Sequence, residues 1–395
     1  MIGFDKAFAL IEAAASPLGA ESVALADAHG RVLAAPVVAG LDAPASDTSA
    51  MDGYAVREAE VVALPARLRV VGESFAGRGF DGRIGPGECV RIFTGAPVPE
   101  GADRVIIQEI VRRDGDMALF GRASAGERFV RAIGSDFRAG DVLLQPGRRL
   151  DARAMVAAAA ADRATVEVWR RPRVIVLGTG DELAEPGTAA HTPGSIPDSV
   201  SLGVAALIVQ YGGEVIGRRR LTDDPASLEA AAGAALDEAD LVVVTGGASV
   251  GERDHARAMF RPAGLALIID RVAIKPGKPV WLGRAGGKLV LGLPGNPTSA
   301  MVTGRLFLAP LVAGLSGEAV GAALDWRPAR LGAALGPCGD RETFHRAAWR
   351  EGRAHPLADQ NSGAQMALAA ADLLIRRRPG EPEAATGDEV ETLAF

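Results

Sequence analysis

The sequence predicts a multidomain α/β plus β protein. It should contain one doubly wound, mostly parallel α/β domain, a β-rich N-terminal half and a small C-terminal β-barrel-like domain. Three observations carry this prediction. Between residues 173 and 315 apolar strands alternate with amphipathic helices, the rhythm of a parallel sheet covered on both faces. From Val23 to about Leu150, short β-rich runs are broken by turns such as Gly85-Pro86-Gly87 and Gly95-Ala96-Pro97. From residue 325 onward short β runs return, including Thr343–Trp349 and Leu373–Arg377. A chain of 395 residues exceeds what one core usually serves. The expected divisions are 1–170 (two interleaved subdomains, with helices at 5–15 and 151–161), 171–320 and 325–395.

In chain order, Phe8, Ile11 and Ala15 fall at helical spacing, with Asp5 placed to cap a helix over 5–15. Runs Arg67–Val71, Cys89–Phe93 and Arg104–Gln108 read as strands, and Asp151–Ala161 as an alanine-rich helix. Strand Arg173–Leu177 follows, then a helix near Leu202–Gln210 and strand Glu214–Gly217. Asp224 caps the next helix with Pro225 at its first position, and that helix runs to about Glu238. Strand Leu241–Val244 enters Thr245-Gly246-Gly247, followed by a helix over Asp254–Phe260 and a strand near Ala266–Ala273.

Composition narrows the function. The net charge of −6 argues against nucleic acid or an acidic membrane as the main partner. Two cysteines, Cys89 and Cys338, build no disulfide framework and have no neighbours at metal-ligand spacing, so a reducing cytoplasm is expected. The first apolar stretch contains Asp5 and Glu12, unlike a secretory leader. The small-apolar run Ala154–Ala161 is far too short to span a bilayer. The five histidines read as surface or packing residues.

Lysine usage is the sharpest local signal. Of 43 basic residues only four are lysines, and two of them share the loop Ile274-Lys275-Pro276-Gly277-Lys278-Pro279. An ammonium is a compact charge suited to a small oxyanion, whereas guanidinium is a broad fork. In an open α/β sheet, ligands bind beyond the carboxyl ends of the strands. Nearly every unusual motif of 173–315 falls there. They are Gly178-Thr179-Gly180-Asp181-Glu182, Asp223-Asp224, Thr245–Glu252 with Asp254, the lysine loop, and Gly292–Pro297 with Ser299 at a helix start. Glycines let backbone N–H groups approach phosphate oxygens. Ser249, Thr245, Asn296 and Ser299 can donate to oxyanions. Glu182, Asp223 and Asp254 would repel an anion unless Mg²⁺ stood between. Together these point to phosphate or pyrophosphate chemistry with Mg²⁺. No GxxxxGK[ST] or GxGxxG is present. The plain alternatives are a tight turn at Gly246-Gly247, helix caps at Asp224 and Asp254, and a solvated first-turn acid at Glu182.

Taken in order, Ser49–Ala55, Thr94–Pro99, Thr179–Leu183, Gly246–Gly251, Ile274–Pro279 and Gly292–Pro297 resemble the molybdopterin molybdotransferases, the molybdenum-inserting family that includes the C-terminal part of gephyrin. The resemblance runs from about residue 4 to the end. It implies insertion of molybdenum from molybdate into the dithiolene of adenylylated molybdopterin, with release of AMP and a requirement for Mg²⁺. It also implies a four-domain homodimer whose cleft lies between the α/β domain of one subunit and N-terminal segments of the other. Contacts with a molybdopterin adenylyltransferase and with recipient molybdoenzymes belong to the same expectation. Carried over by motif, Asp52, Glu182, Asp223 and Asp254 handle metal and substrate, and Lys275, Lys278, Ser249 and Ser299 hold molybdate or phosphate. Arg346 and Ser362 complete the oxyanion pocket, and Thr94 and Asp136 come from the β-rich half. Gly246, Gly247 and Asn296 line the cofactor site. Two positions depart from the family pattern: Asp198-Ser199-Val200 replaces Asp-Ser-Asn, and Arg271 replaces a lysine. An adenylyltransferase, whose single domain resembles 173–315, and a non-catalytic scaffold are the alternatives.

Overall fold

The computed structural model describes residues 1–122, 126–247 and 255–395. Its centre is a six-stranded sheet in the order Glu214–Leu221, Arg173–Thr179, Leu241–Thr245, Lys288–Leu293, Trp281–Ala285, Ala266–Ile269. The first four strands are parallel and the last two pairings antiparallel. Two successive reversals return Ala266–Ile269 to the direction of the parallel set. Its carboxyl end therefore opens on the same edge as theirs.

Strand alternation sorts the core into two layers. Val174, Val176, Leu241, Val243, Leu289 and Leu291 face one side, with the helices Ser199–Gln210, Pro297–Thr303 and Ala309–Leu315. Ile175, Leu177, Val242, Val244 and Val290 face the other, against Pro225–Glu238. Period-two side chains buried on both faces explain why these strands read as unbroken apolar runs. The stretch Pro297–Leu315 is long and apolar enough to cross a membrane by composition, but it is 94% buried and serves as the core helix.

Caps follow the expected chemistry at three helices. The Asp224 side chain accepts from Ser227 N–H at 2.9 Å, with Pro225 in the first turn. Asp198 accepts from Ser201 N–H at 3.2 Å, and Asp151 from Ala154 N–H at 2.8 Å. Asp5 is a correction. The helix spans Phe4–Ala14 with Gly3 at its cap, because Ile2 is already bridged to Val272. That leaves Asp5 in the first turn, where its carboxylate meets Arg376 at 2.7 Å. This helix was expected to belong with the N-terminal half. Instead Phe4, Ala7 and Ile11 pack among Phe307, Leu311 and Phe344 in the core of the central sheet and C-terminal segment.

The intervening residues form two further units with three buried clusters between them. Ala28, Leu33 and Val37 pack with Leu150, Ala154 and Val168, so the chain leaves this unit and returns to it. Between these passes lies a six-stranded sheet in the order Arg104–Ile107, Gly53–Val56, Glu88–Ile92, Ala66–Ser74, Met117–Phe120, Val111–Asp114. The C-terminal sheet runs Ile274–Lys275, Glu342–Arg350, Leu373–Arg377, Glu389–Ala394, Arg327–Arg330. Its first strand is the start of the lysine loop, lent by the α/β segment. Sequence alone did not show this connection.

Candidate functional site

A cleft of about 800 Å³ opens at the carboxyl edge of the central sheet. Each parallel strand delivers part of its wall: Thr179, Gly180 and Glu182 after the first, Asp223 after the second, and Thr245, Gly246 and Gly247 after the third. Pro294, Gly295 and Asn296 follow Lys288–Leu293, and Arg271 and Lys278 arrive from the loop after Ala266–Ile269. This is where an open α/β sheet gathers its ligands.

The glycines are demanded by close approach. Gly246 has φ +89°, and a Cβ there would sit 2.5 Å from the Thr179 carbonyl oxygen. Gly247 has φ +63°, and its Cβ would come within 3.0 Å of Ala256 N. Both values lie in the left-handed region that L side chains resist. A Cβ on Gly295 would approach Gly246 Cα to 3.2 Å, so the two glycine loops all but touch. Asp181 ties two other edge loops together by accepting from Asp223 N–H at 3.0 Å.

The charges along the cleft are mixed. Glu182, Asp198 and Asp223 supply carboxylates, though Asp198 is spent on the cap at Ser201. Arg271 and Lys278 supply positive charge, and His255, read from sequence as a surface or packing residue, stands on the wall. Val200 lies at the start of Ser199–Gln210, on the cleft wall, where the family pattern has an amide.

Of the residues expected at the site, Glu182, Asp223, Gly246, Gly247, Lys278 and Asn296 line this cleft. Ser249 and Asp254 lie outside the described residues. Lys275 is exposed one turn of loop before Lys278, paired with Thr343 of the C-terminal sheet. Ser299 is 6% exposed in the first turn of Pro297–Thr303 and does not line the cleft.

Arg346 requires a correction. It is 1% exposed, so it does not face an oxyanion in the cleft. Its Nη1 donates to Thr298 Oγ1 at 2.9 Å and its Nη2 to the carbonyls of Asp359 and Asn361 at 3.0 and 3.1 Å. It thereby pins the 359–364 loop to the start of the Pro297–Thr303 helix. That loop brings Ser362 beside the cleft, where Ser362 Oγ accepts from Asn296 Nδ2 at 3.2 Å, and places Gln365 on the wall. The sequence carried no signal for Gln365, since its position depends on this remote arginine.

Asp52, Thr94 and Asp136 belong to the β-rich half and do not line the cleft of their own chain. Asp52 Oδ1 accepts from Thr94 N–H at 2.7 Å and from Thr94 Oγ1 at 2.8 Å. The backbone N–H first, then the hydroxyl, hold the Asp52 carboxyl below its ordinary range. Asp136 is exposed, its N–H donating to Ala43 O at 3.0 Å. Asp52 was expected to reach the cleft from the other subunit of a dimer, and within one chain it stands apart from Glu182 and Asp223. Among the described residues no group of three or more His, Cys, Asp or Glu is placed to hold a metal ion. Glu182 and Asp223 nevertheless share one cleft, and Mg²⁺ typically needs only one or two protein carboxylates besides substrate phosphates and water.

Comparison with known proteins covers the length of the chain. Residues 2–161 match the MoeA N-terminal region (domain I and II), 175–314 a probable molybdopterin binding domain, and 328–395 the MoeA C-terminal region (domain IV). The molybdopterin molybdenumtransferase of Haemophilus influenzae is 38% identical over 320 residues, covering 80% of this chain and 78% of that protein. The one from Nostoc sp. is 36% identical over 348 residues, covering 85% and 79%. A crystal structure of a molybdopterin biosynthesis moeA protein from Pyrococcus horikoshii superposes with a TM-score of 0.84 at 30% identity, covering 100% of this chain and 99% of that one. With matches that run from residue 2 to residue 395 and relatives above 30% identity over 80% or more of its length, the chain belongs to the molybdopterin molybdenumtransferase (MoeA) family.

Proposed function

We propose that this chain acts in molybdenum cofactor biosynthesis by transferring molybdenum from molybdate to the dithiolene of adenylylated molybdopterin, with release of AMP. The observation that carries the reading is the convergence of Gly246-Gly247, Asn296, Lys278 and the carboxylates Glu182 and Asp223 on one cleft. Its volume falls within the range of sites for drug-sized ligands. Backbone N–H groups of the glycine loops orient the phosphates of the substrate. Lys278 and Arg271 offset the negative charge of phosphate and molybdate, against the chain's own net charge of −6. Glu182 and Asp223 would hold Mg²⁺, which when bound neutralises phosphate oxygens and aids departure of the nucleotide.

Asp52, Thr94 and Asp136 fit this reading in a homodimer, where the partner subunit's Asp52 would face the cleft. Asp52 suits that task because Thr94 preorganises its carboxylate and favours the ionised form. The adenylyltransferase alternative accounts for 175–314 only and leaves the matches at 2–161 and 328–395 without purpose. Purified protein given Mg²⁺, molybdate and adenylylated molybdopterin should release AMP in a molybdate-dependent manner. ATP-dependent adenylylation of free molybdopterin, without that release, would establish the alternative. Neither activity would leave the scaffold reading.

A further inference from the structure

The loop that brings Arg271 and Lys278 to the cleft is gripped on both flanks by other parts of the chain. On one side Ile2 N–H donates to Arg271 O at 3.1 Å, and Ala273 N–H donates to Ile2 O at 2.7 Å. On the other, Glu342 N–H donates to Ala273 O at 3.0 Å, and Ile274–Lys275 pairs in parallel with Glu342–Thr343. The loop is therefore the middle ply of three, and its flanking plies come from opposite ends of the sequence.

One side chain joins those two flanks. Arg376 Nε donates to Glu342 Oε1, in the residue that pairs with Ile274. Its Nη2 donates to Asp5 Oδ1 at 2.7 Å, three residues after Ile2. The guanidinium also lies 5.0 Å from the Phe4 ring centre and 5.2 Å from that of Trp326. Arg376 is 9% exposed and Glu342 5%, so this pairing lies where solvent screens it little. A planar, forked cation over aromatic faces is what such a double engagement requires, and lysine cannot reproduce it.

We propose that Arg376 is a positioning residue for oxyanion binding: by clasping Asp5 to Glu342 it fixes the loop that holds Arg271 and Lys278 at the cleft. This rests on the proposed transfer reaction, since it names what orients that reaction's anion site. Arg376 touches no substrate and acts through the loop. Loosening the clasp should let the cationic side chains wander, which weakens molybdate capture more than it slows the bound complex. Misplacement on the order of 1 Å is enough to cost a large factor.

The test is steady-state AMP release at varied molybdate with the full-length protein. Arg376→Met and Arg376→Lys should each raise the molybdate KM by about tenfold, with kcat within about twofold of the parent. Asp5→Asn removes the charge from only the exposed arm of the clasp and keeps the variant series interpretable should Arg376→Met not fold. It should raise the molybdate KM about threefold. In a Lys278→Ala background, Arg376→Lys should add less than about twofold, because the contact it supports is already gone. A merely structural role predicts instead a drop in folded fraction with unchanged KM, and additive effects in the double variant. Those outcomes, or an Asp5→Asn enzyme with parental KM, would overturn the clasp while leaving the transfer reaction standing. A parent protein without molybdate-dependent AMP release would overturn both.

Discussion

Lys278 is the cation whose placement in the cleft and scarcity in the sequence agree. Two lysines of four fall in one loop, and one of them reaches the wall shared with Glu182 and Asp223. A lost hydrogen bond to a charged group is worth roughly 1.5–3 kcal/mol, so Lys278→Ala should weaken molybdate binding by about 10- to 100-fold. Equilibrium binding of molybdate to the variant checks this, and Lys278→Arg should recover only part of the loss because its fork does not mimic a point charge. His345 behaves differently. Burial first, then the charges of Arg377 and Lys275, push its pKa down from 6.5 to about 4. Above pH 6.5 the ring is neutral whether the chain is folded or not. As pH falls from 6.5 toward 4 the unfolded chain takes up the proton while the folded one does not, so stability drops across that window. The slope should be up to about 1 kcal/mol per pH unit, read from urea midpoints, and a His345→Gln variant should lose it. Glycines and the lysine pair were visible in the sequence because such residues are rarely placed without a local reason. His255, Gln365 and the burial of Arg346 were not, since each depends on partners tens or hundreds of residues away.

At the scale of elements, alternation in the central strands announced the parallel sheet, and Asp224-Pro225 announced a helix start that the structure reproduces. Asp5 misled for a physical reason. Pairing of Ile2 with Val272 starts the helix one residue earlier, and the carboxylate serves Arg376 instead of the helix end. The strand Ile274–Lys275 was equally hidden, being two residues long and completed only by Glu342–Arg350. The turn after Leu241–Thr245 carries its own prediction. A side chain on Gly246 meets the Thr179 carbonyl oxygen at 2.5 Å in addition to a positive φ of +89°. Gly246→Ala should therefore cost on the order of 2 kcal/mol, seen as a lower denaturant midpoint, and should deform the phosphate-facing loop. Gly287, at φ +80° in the hairpin turn with open space around it, is the control. Gly287→Asn should be tolerated there, because asparagine accepts this conformation.

At the scale of the whole molecule, the β-rich half closes on itself through its return passes and meets the rest of the chain at Arg149–Glu318, yet Asp52 and Lys278 do not share a cleft within one subunit. A shared site between two subunits predicts complementation. Asp52→Ala and Lys278→Ala proteins, each impaired alone at low molybdate, should recover about a quarter of parental AMP release under those conditions when co-refolded, since half the dimers then carry one intact site. No recovery despite dimer formation would place both residues in one subunit's site. The family pattern made the molecule legible from end to end, while composition and periodicity alone reached only the layered architecture and the ligand edge. The most direct measurement is a crystal soaked with molybdate and adenylylated molybdopterin. The account predicts phosphate density against Gly246-Gly247, with the metal oxyanion within reach of Lys278. Well-ordered ligand bound elsewhere, with this edge of the sheet empty, would contradict it.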